Sequence, residues 1–216
     1  MKRRDFSLAL GAAVTANTLL QSPALAQAKS PEAGTDYQML EKPAPVEAPA
    51  GKVEVVEFFG YFCPHCNHFE PLFEAWRKRV PKDVSVRRVP VAFDAGLVPQ
   101  QRLYYALEAM GLVDQLHAKV FAAIHQEKQN LSNADVITAW VVKQGVDKTQ
   151  FLAQYNSFTV NTKATRATQL HNAYRIEGVP ALGVAGRFWT DGGMAKGMDR
   201  ALQVVDFLAA RVRAGK

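Results

Sequence analysis

Only two cysteines occur in the 216 residues, and they sit together in Cys63-Pro64-His65-Cys66. A thiolate is both a nucleophile and a metal ligand, so this spacing has a short list of uses. A bridge across so small a loop constrains little of the unfolded chain, since stabilisation grows with loop length. Structural stapling is therefore a poor account of it. A c-type haem site needs a histidine directly after the second cysteine, where this chain has Asn67. A structural zinc site needs about four ligands. His65 and His68 are near, but there is no second cysteine pair, and His117, His125 and His171 are scattered through helical stretches as surface or half-buried residues. A pair of inert thiols fits badly with the polar surroundings. Reversible thiol–disulfide exchange is the chemistry that this pattern serves best.

That chemistry needs elements to hold it. Lys52-Val53-Glu54-Val55-Val56-Glu57-Phe58-Phe59 is rich in β-branched and aromatic residues and reads as a buried strand ended by Gly60. After the cysteines, Phe69, Leu72, Phe73 and Trp76 recur at helical spacing, so a helix is expected over 63–79. Cys63 then stands at the mouth of a helix, where unpaired N–H groups and the helix dipole favour an anion and lower a thiol pKa. Pro64 suits the opening turn, where its missing N–H is not needed. His65 adds a donor and, when protonated, a positive charge. Stabilising the thiolate makes the disulfide the stronger oxidant; the residues supply the sign of that effect and no magnitude.

Beyond this unit, Val84-Ser85-Val86-Arg87-Arg88-Val89 alternates like a strand closing a β-α-β motif. Pro99 to about Arg175 is helical in pattern, with apolar stripes at Leu103, Leu107 and Met110, and at Leu116, Val120, Phe121 and Ile124. Ser132 with Asp135 reads as a capping box, and Asp147 with Gln150 as another helix start. Two short strands are expected at Leu182–Ala185 and Arg187–Trp189, turned at Gly186, before a last helix carrying Leu202, Val205 and Leu208. Asp191-Gly192-Gly193 lacks the strand–glycine–helix order of a phosphate loop. Residues 41–51, with Pro43, Pro45 and Pro49, read as a stiff extended lead-in.

The amino terminus reads as a leader. Lys2-Arg3-Arg4 precedes a mildly apolar Leu8–Leu20, and Ala24-Leu25-Ala26 or Ala26-Gln27-Ala28 supplies a cleavage signal. Arg3-Arg4 with Phe6 and Leu8 also resembles a twin-arginine signal, which leaves the export route open. The net charge is +6 overall, and 23 basic against 19 acidic residues remain beyond residue 26. No dense basic block carries interleaved aromatics, so nucleic-acid binding is not indicated.

The run Phe58-Phe59-Gly60-Tyr61-Phe62-Cys63-Pro64-His65-Cys66 resembles the active site of the DsbA family of bacterial periplasmic oxidants. Tyr37–Pro43 is similar to that family's mature N-terminal segment, and Ile176-Glu177-Gly178-Val179-Pro180-Ala181 to its cis-proline loop. The resemblance implies an α/β, thioredoxin-like fold with a helical insertion domain. The divisions would be a signal peptide at 1–26, thioredoxin-like parts at 27–98 and 176–216, and the insertion at 99–175. It implies that Cys63 forms the mixed disulfide, that Cys66 resolves it, and that Glu57 handles protons beneath the site.

Glu57 stands between Val56 and Phe58 in an apolar strand, where an unpaired charge would be costly. Glu54 and Glu70 have the plainer reading of solvated surface charges, although the resemblance places Glu70 and either Arg87 or Arg88 beside the site. Tyr61, Phe62 and Phe69 read as core or site-rim aromatics. A proline after a β-branched residue is by itself a strand-edge feature, and only about 5–6% of X–Pro bonds are cis. The resemblance implies that Val179-Pro180 is cis, with the Val179 backbone free to pair with an extended substrate. It further implies a monomer that needs no cofactor beyond the Cys63–Cys66 disulfide, acts on exported proteins with free thiols, and is reoxidised by a DsbB-like, quinone-linked membrane partner. A periplasmic reductase or isomerase, and a CxxC metal-binding module, remain the alternatives.

Overall fold

The computed structural model describes residues 30–215; the expected leader lies outside them. Strand β2 (Val53–Phe59) is the centre of the molecule, and all seven of its residues are buried. It pairs in parallel with β3 (Val84–Pro90) on one side and antiparallel with β4 (Ala181–Val184) on the other. β5 (Phe188–Asp191) and the two-residue β1 (Gln38–Met39) complete a mixed sheet of order β1-β5-β4-β2-β3. β1 was not expected as a strand; two residues are too few to show any periodicity.

Helix α1 (Pro64–Arg77) joins β2 to β3, two residues shorter at its C-terminus than the pattern suggests. Pro71 lies inside it and removes one backbone donor from mid-helix. β4 and β5 meet in a turn with Ala185 and Gly186 both at positive φ, closed by Arg187 N–H donating to the Val184 carbonyl at 3.0 Å. Such paired left-handed residues match the twist of a hairpin.

The two faces of the sheet are covered by different parts of the chain. Val53, Val55, Leu182, Val184 and Phe188 pack with Phe69, Phe73 and Trp76 of α1 and with Leu202, Val205 and Leu208 of α7 (Met198–Arg213). Val56, Phe58 and Ala181 pack into a second cluster with five helices: α2 (Val98–Ala109), α3 (Val113–His125), α4 (Ala134–Lys143), α5 (Lys148–Tyr155) and α6 (Phe158–Ala173). The expected stripes at Leu103/Leu107 and Leu116/Val120/Phe121 are buried there. No helix among the described residues is long and apolar enough to cross a membrane.

One expected cap is misplaced in the sequence reading. The N-cap of α4 is Asn133, whose Oδ1 accepts from Val136 N–H at 3.0 Å, and not Ser132. Asn ranks with Ser as a cap, so the residue types alone could not separate neighbours. Asp147 does cap α5, accepting from Gln150 N–H at 2.8 Å.

Candidate active site

Gly60 releases the chain from β2, and a methyl group there would occupy the ring of Phe62. Three residues later Cys63 is the N-cap of α1, in extended conformation. Its Sγ accepts the Cys66 backbone N–H at 3.4 Å, and its thiol lies 3.2 Å from the Val179 carbonyl. Both cysteines are in the free thiol form. The Val179-Pro180 peptide is cis. A groove of about 790 Å³ runs beside this junction, lined by His65, His68, Phe69, Leu72, Val179, Pro180 and Met198 among others.

The electrostatics separate the two sulfurs. Cys63 is held down to about 6. The Cys66 thiol donating to it is the largest cause; burial opposes, and the backbone N–H groups of Cys66 and His65 and the His65 charge assist. Cys66 is pushed far above the ordinary thiol range, by burial first and then by its hydrogen bond to Cys63 and the nearby Cys63 and Glu57 charges. One sulfur is built to be an anion and the other to keep its proton.

Beneath the pair lies a buried ionic cluster. Glu57 points to the same side of β2 as Val55, toward α1. Burial raises its pKa to about 8, against the attraction of Arg88. Arg88 Nε donates to Glu57 Oε2 at 3.0 Å, while its Nη2 donates to Glu70 Oε1 at 2.6 Å and Glu74 Oε1 at 2.5 Å. Burial works against the Arg88 charge, but Glu57, Glu70 and Glu74 together raise its pKa. Glu74 falls to about 2: burial acts upward, and is overcome by hydrogen bonds from Arg77 and Arg88.

The choice between Arg87 and Arg88 is settled by strand register. Arg88 is directly opposite Glu57 on β3, whereas Arg87 turns the other way toward Glu54 and Glu47. The surface reading of Glu54 and Glu70 is overturned, since only 2% and 8% of them is exposed. A central strand buries every position, so Glu54 needs partners as much as Glu57 does. It has them in the Glu47 N–H and Arg87.

His117 was read as a surface or half-buried residue and is instead buried in the wall of this cluster. Its Nδ1 lies 2.8 Å from Tyr61 Oη, and its Nε2 lies 3.3 Å from Glu70 Oε2. His125, two turns on, contacts the Tyr61 carbonyl through Nε2 at 2.8 Å. Helix α3 thus holds both ends of the residue that stands two before Cys63. The signal was present in the sequence: His117 lies three and four residues before Val120 and Phe121, on the apolar stripe of α3. His171, also read as surface or half-buried, is buried as well, with its ring edge-on to Phe93.

A CxxC pair at the mouth of a helix, beside a cis-proline loop on a thioredoxin-like sheet, defines a thiol:disulfide oxidoreductase. The family model described as the DSBA-like thioredoxin domain matches residues 54–209, and the chain belongs to that family. It is 43% identical over 215 residues to the thiol:disulfide interchange protein DsbA of Bordetella parapertussis, covering 99% of this chain and 100% of that one. The Burkholderia cepacia protein of the same name is 38% identical over 213 residues, covering 99% and 98%. Among solved structures, Pseudomonas aeruginosa DsbA superposes with a TM-score of 0.81 at 38% identity, covering 85% of this chain and 95% of that one. Reduced DsbA1 of Neisseria meningitidis superposes with 0.76 at 31%, covering 86% and 97%. The protein is a disulfide oxidant.

Proposed function

We propose that the protein acts as a monomer in the periplasm, passing the Cys63–Cys66 disulfide to exported proteins that still carry free thiols. A substrate thiolate attacks Cys63; the Cys63–Cys66 bond breaks and Cys66 leaves with the electron pair. Glu57 gives a proton to that sulfur, whose high pKa makes it the natural acceptor. A second substrate thiolate then attacks the substrate sulfur of the mixed disulfide, and Cys63 departs as a thiolate. Two substrate thiols have become a disulfide, and the pair has become a dithiol. A quinone-linked membrane partner of the DsbB kind takes the two electrons back out. No further cofactor enters this cycle.

The observation that carries this reading is the contrast between the sulfurs: Cys63 at about 6 and Cys66 far above it. A good leaving thiolate at Cys63 drives the second exchange toward oxidised substrate. Pro64 and His65 are exposed at the helix mouth, where a substrate thiolate can reach Cys63, and the groove beside Val179 and Pro180 receives an extended peptide, with the Val179 backbone as its hydrogen-bonding partner. The test is a reduction-potential measurement against glutathione, together with adduct trapping by Cys66→Ala in cells. A potential well above that of glutathione and dithiothreitol-sensitive adducts with exported proteins are expected. A potential below glutathione's would make the protein a reductant and end this reading.

A further inference from the structure

The wall of the ionic cluster is supplied by α3, a helix outside the β-α-β unit that carries the cysteines. His117 on that helix is 4% exposed and touches two polar partners from two other segments. Tyr61 Oη reaches Nδ1 at 2.8 Å. Burial raises the pKa of Tyr61 well above its ordinary value, so the phenol keeps its proton and donates it. Burial also lowers the His117 pKa, so the ring is neutral with a single N–H. Because Nε2 faces a carboxylate oxygen of Glu70, Nδ1 is the acceptor of the Tyr61 hydroxyl. The remaining proton must then sit on Nε2. That atom faces Glu70 Oε2 at 3.3 Å, outside good hydrogen-bond geometry, and neither atom has a hydrogen-bond partner elsewhere.

Charge balance gives this contact its consequence. Glu57, Glu70 and Glu74 all converge on the single guanidinium of Arg88. Glu74 has a second cation in Arg77. Glu57 and Glu70 therefore share what remains, and Glu57, raised by burial to about 8, is the one that keeps a proton near neutral pH. Glu70 has the extra N–H of His117; among the described residues the side-chain hydrogen bond of Glu57 is to Arg88, and its charge acts on the Cys66 thiol. The other rings against His117, those of Phe59, Tyr104 and Phe121, bring no further charge, and Tyr104 keeps its phenol proton through burial.

We propose that His117 is a positioning residue for the proton chemistry of the cysteine pair: fixed in one tautomer by Tyr61, it presents an N–H to Glu70 and so leaves Glu57 as the carboxyl that carries the exchangeable proton. The inference rests on the assignment of Glu57 as proton donor to Cys66, and places the control of that proton on the helical segment. The Tyr61–His117–Glu70–Arg88–Glu57 contacts connect the loop before Cys63 to the carboxyl under Cys66, so the two thiols are tuned through one chain of side chains.

The test is a carboxyl-carbon NMR titration of glutamate-labelled protein, with Glu57→Gln used to assign the resonance that titrates near 8. In His117→Phe the Glu57 titration should fall, by up to about one unit, since a well-formed charge-assisted hydrogen bond is worth about that much and the 3.3 Å contact is a weaker one. His117→Gln, whose amide can both accept from Tyr61 and donate to Glu70, should restore it. Tyr61→Phe, which removes one hydroxyl and leaves the packing, should move it in the same direction as His117→Phe. The rate of mixed-disulfide resolution against pH should follow the same order. Unchanged Glu57 titration in Tyr61→Phe and in folded His117→Phe overturns the proposal. Should His117→Phe not fold, an unmoved Tyr61→Phe decides against it alone. A resonance near 8 that survives Glu57→Gln would instead refute the proton assignment itself, and the two failures are distinct.

Discussion

Arg88 Nε donates to Glu57 Oε2 at 3.0 Å across two neighbouring parallel strands, where these residues are register partners. Both are buried, with only 8% and 1% of their surface exposed. Arg88 is the cation on which Glu57, Glu70 and Glu74 converge, so removing it strands the buried acidic side chains that it holds. Such a loss costs about 3–5 kcal/mol, whereas an intact buried pair contributes little net stability. Arg88→Met should therefore destabilise the protein by about 3–5 kcal/mol in urea unfolding near pH 7. Because Arg88 pulls the Glu57 pKa down, the variant should also push that pKa above its present value of about 8. A loss under 1 kcal/mol would mean that the cluster reorganises around a missing cation.

The stability of the reduced form should depend on pH in a defined window. Cys63 falls from 9.0 to about 6 on folding, so its contribution is fully present above pH 9 and is lost as pH falls through 6. The oxidised form has no thiol to ionise. The advantage of the reduced over the oxidised form should thus grow from pH 6 to pH 9, by up to about 4 kcal/mol, with about 1.4 kcal/mol of it present at pH 7. Solvent on one flank of the sulfur makes these upper figures. Glu57 acts in the opposite sense, its contribution being lost as pH rises from 4.5 through 8, and taking the difference between redox forms removes most of it. Thermal unfolding of both forms across the window checks the sign; a flat difference contradicts the depressed thiol.

Cys66→Ala separates the two ways in which Cys66 lowers the Cys63 pKa. The thiol hydrogen bond, the largest cause, is deleted, while the backbone N–H at 3.4 Å remains. Thiolate absorbance near 240 nm should show Cys63 titrating above 6 in the variant yet still below 9. Titration at the parent value would assign the whole effect to the helix mouth and backbone.

The cysteine pair, its helix, and the strand beneath it were legible because each has a local pattern: a CxxC spacing, a 3.6-residue apolar period, and a β-branched run. The α/β order and four of the five helices of the second cluster followed from the same kind of periodicity and from cap residues. What escaped was set by contacts between segments distant in sequence. Arg87 and Arg88 are adjacent and chemically identical, and only the register of β3 against β2 selects Arg88. Glu54 and Glu70 carry charges that suggest solvent, and their cationic partners Arg87 and Arg88, which make that burial tolerable, lie more than a dozen residues away in the chain. His117 looked like a lone histidine because its partners, Tyr61 and Glu70, lie 56 and 47 residues earlier.

The cap of α4 offers a clean check on the finest of these differences. Asn133 Oδ1 satisfies the Val136 N–H at 3.0 Å, and the residue has the extended backbone of an N-cap. Ser132, one residue earlier, is exposed and takes no part in that bond. Asn133→Ala should therefore cost about 1 kcal/mol. Ser132→Ala should stay within about 0.5 kcal/mol, as expected of a surface change away from any special feature. Denaturant midpoints for the two single variants and the double variant measure both, and the double should match Asn133→Ala. Equal losses in the two single variants would restore the capping box at Ser132 and shift the start of α4 by one residue.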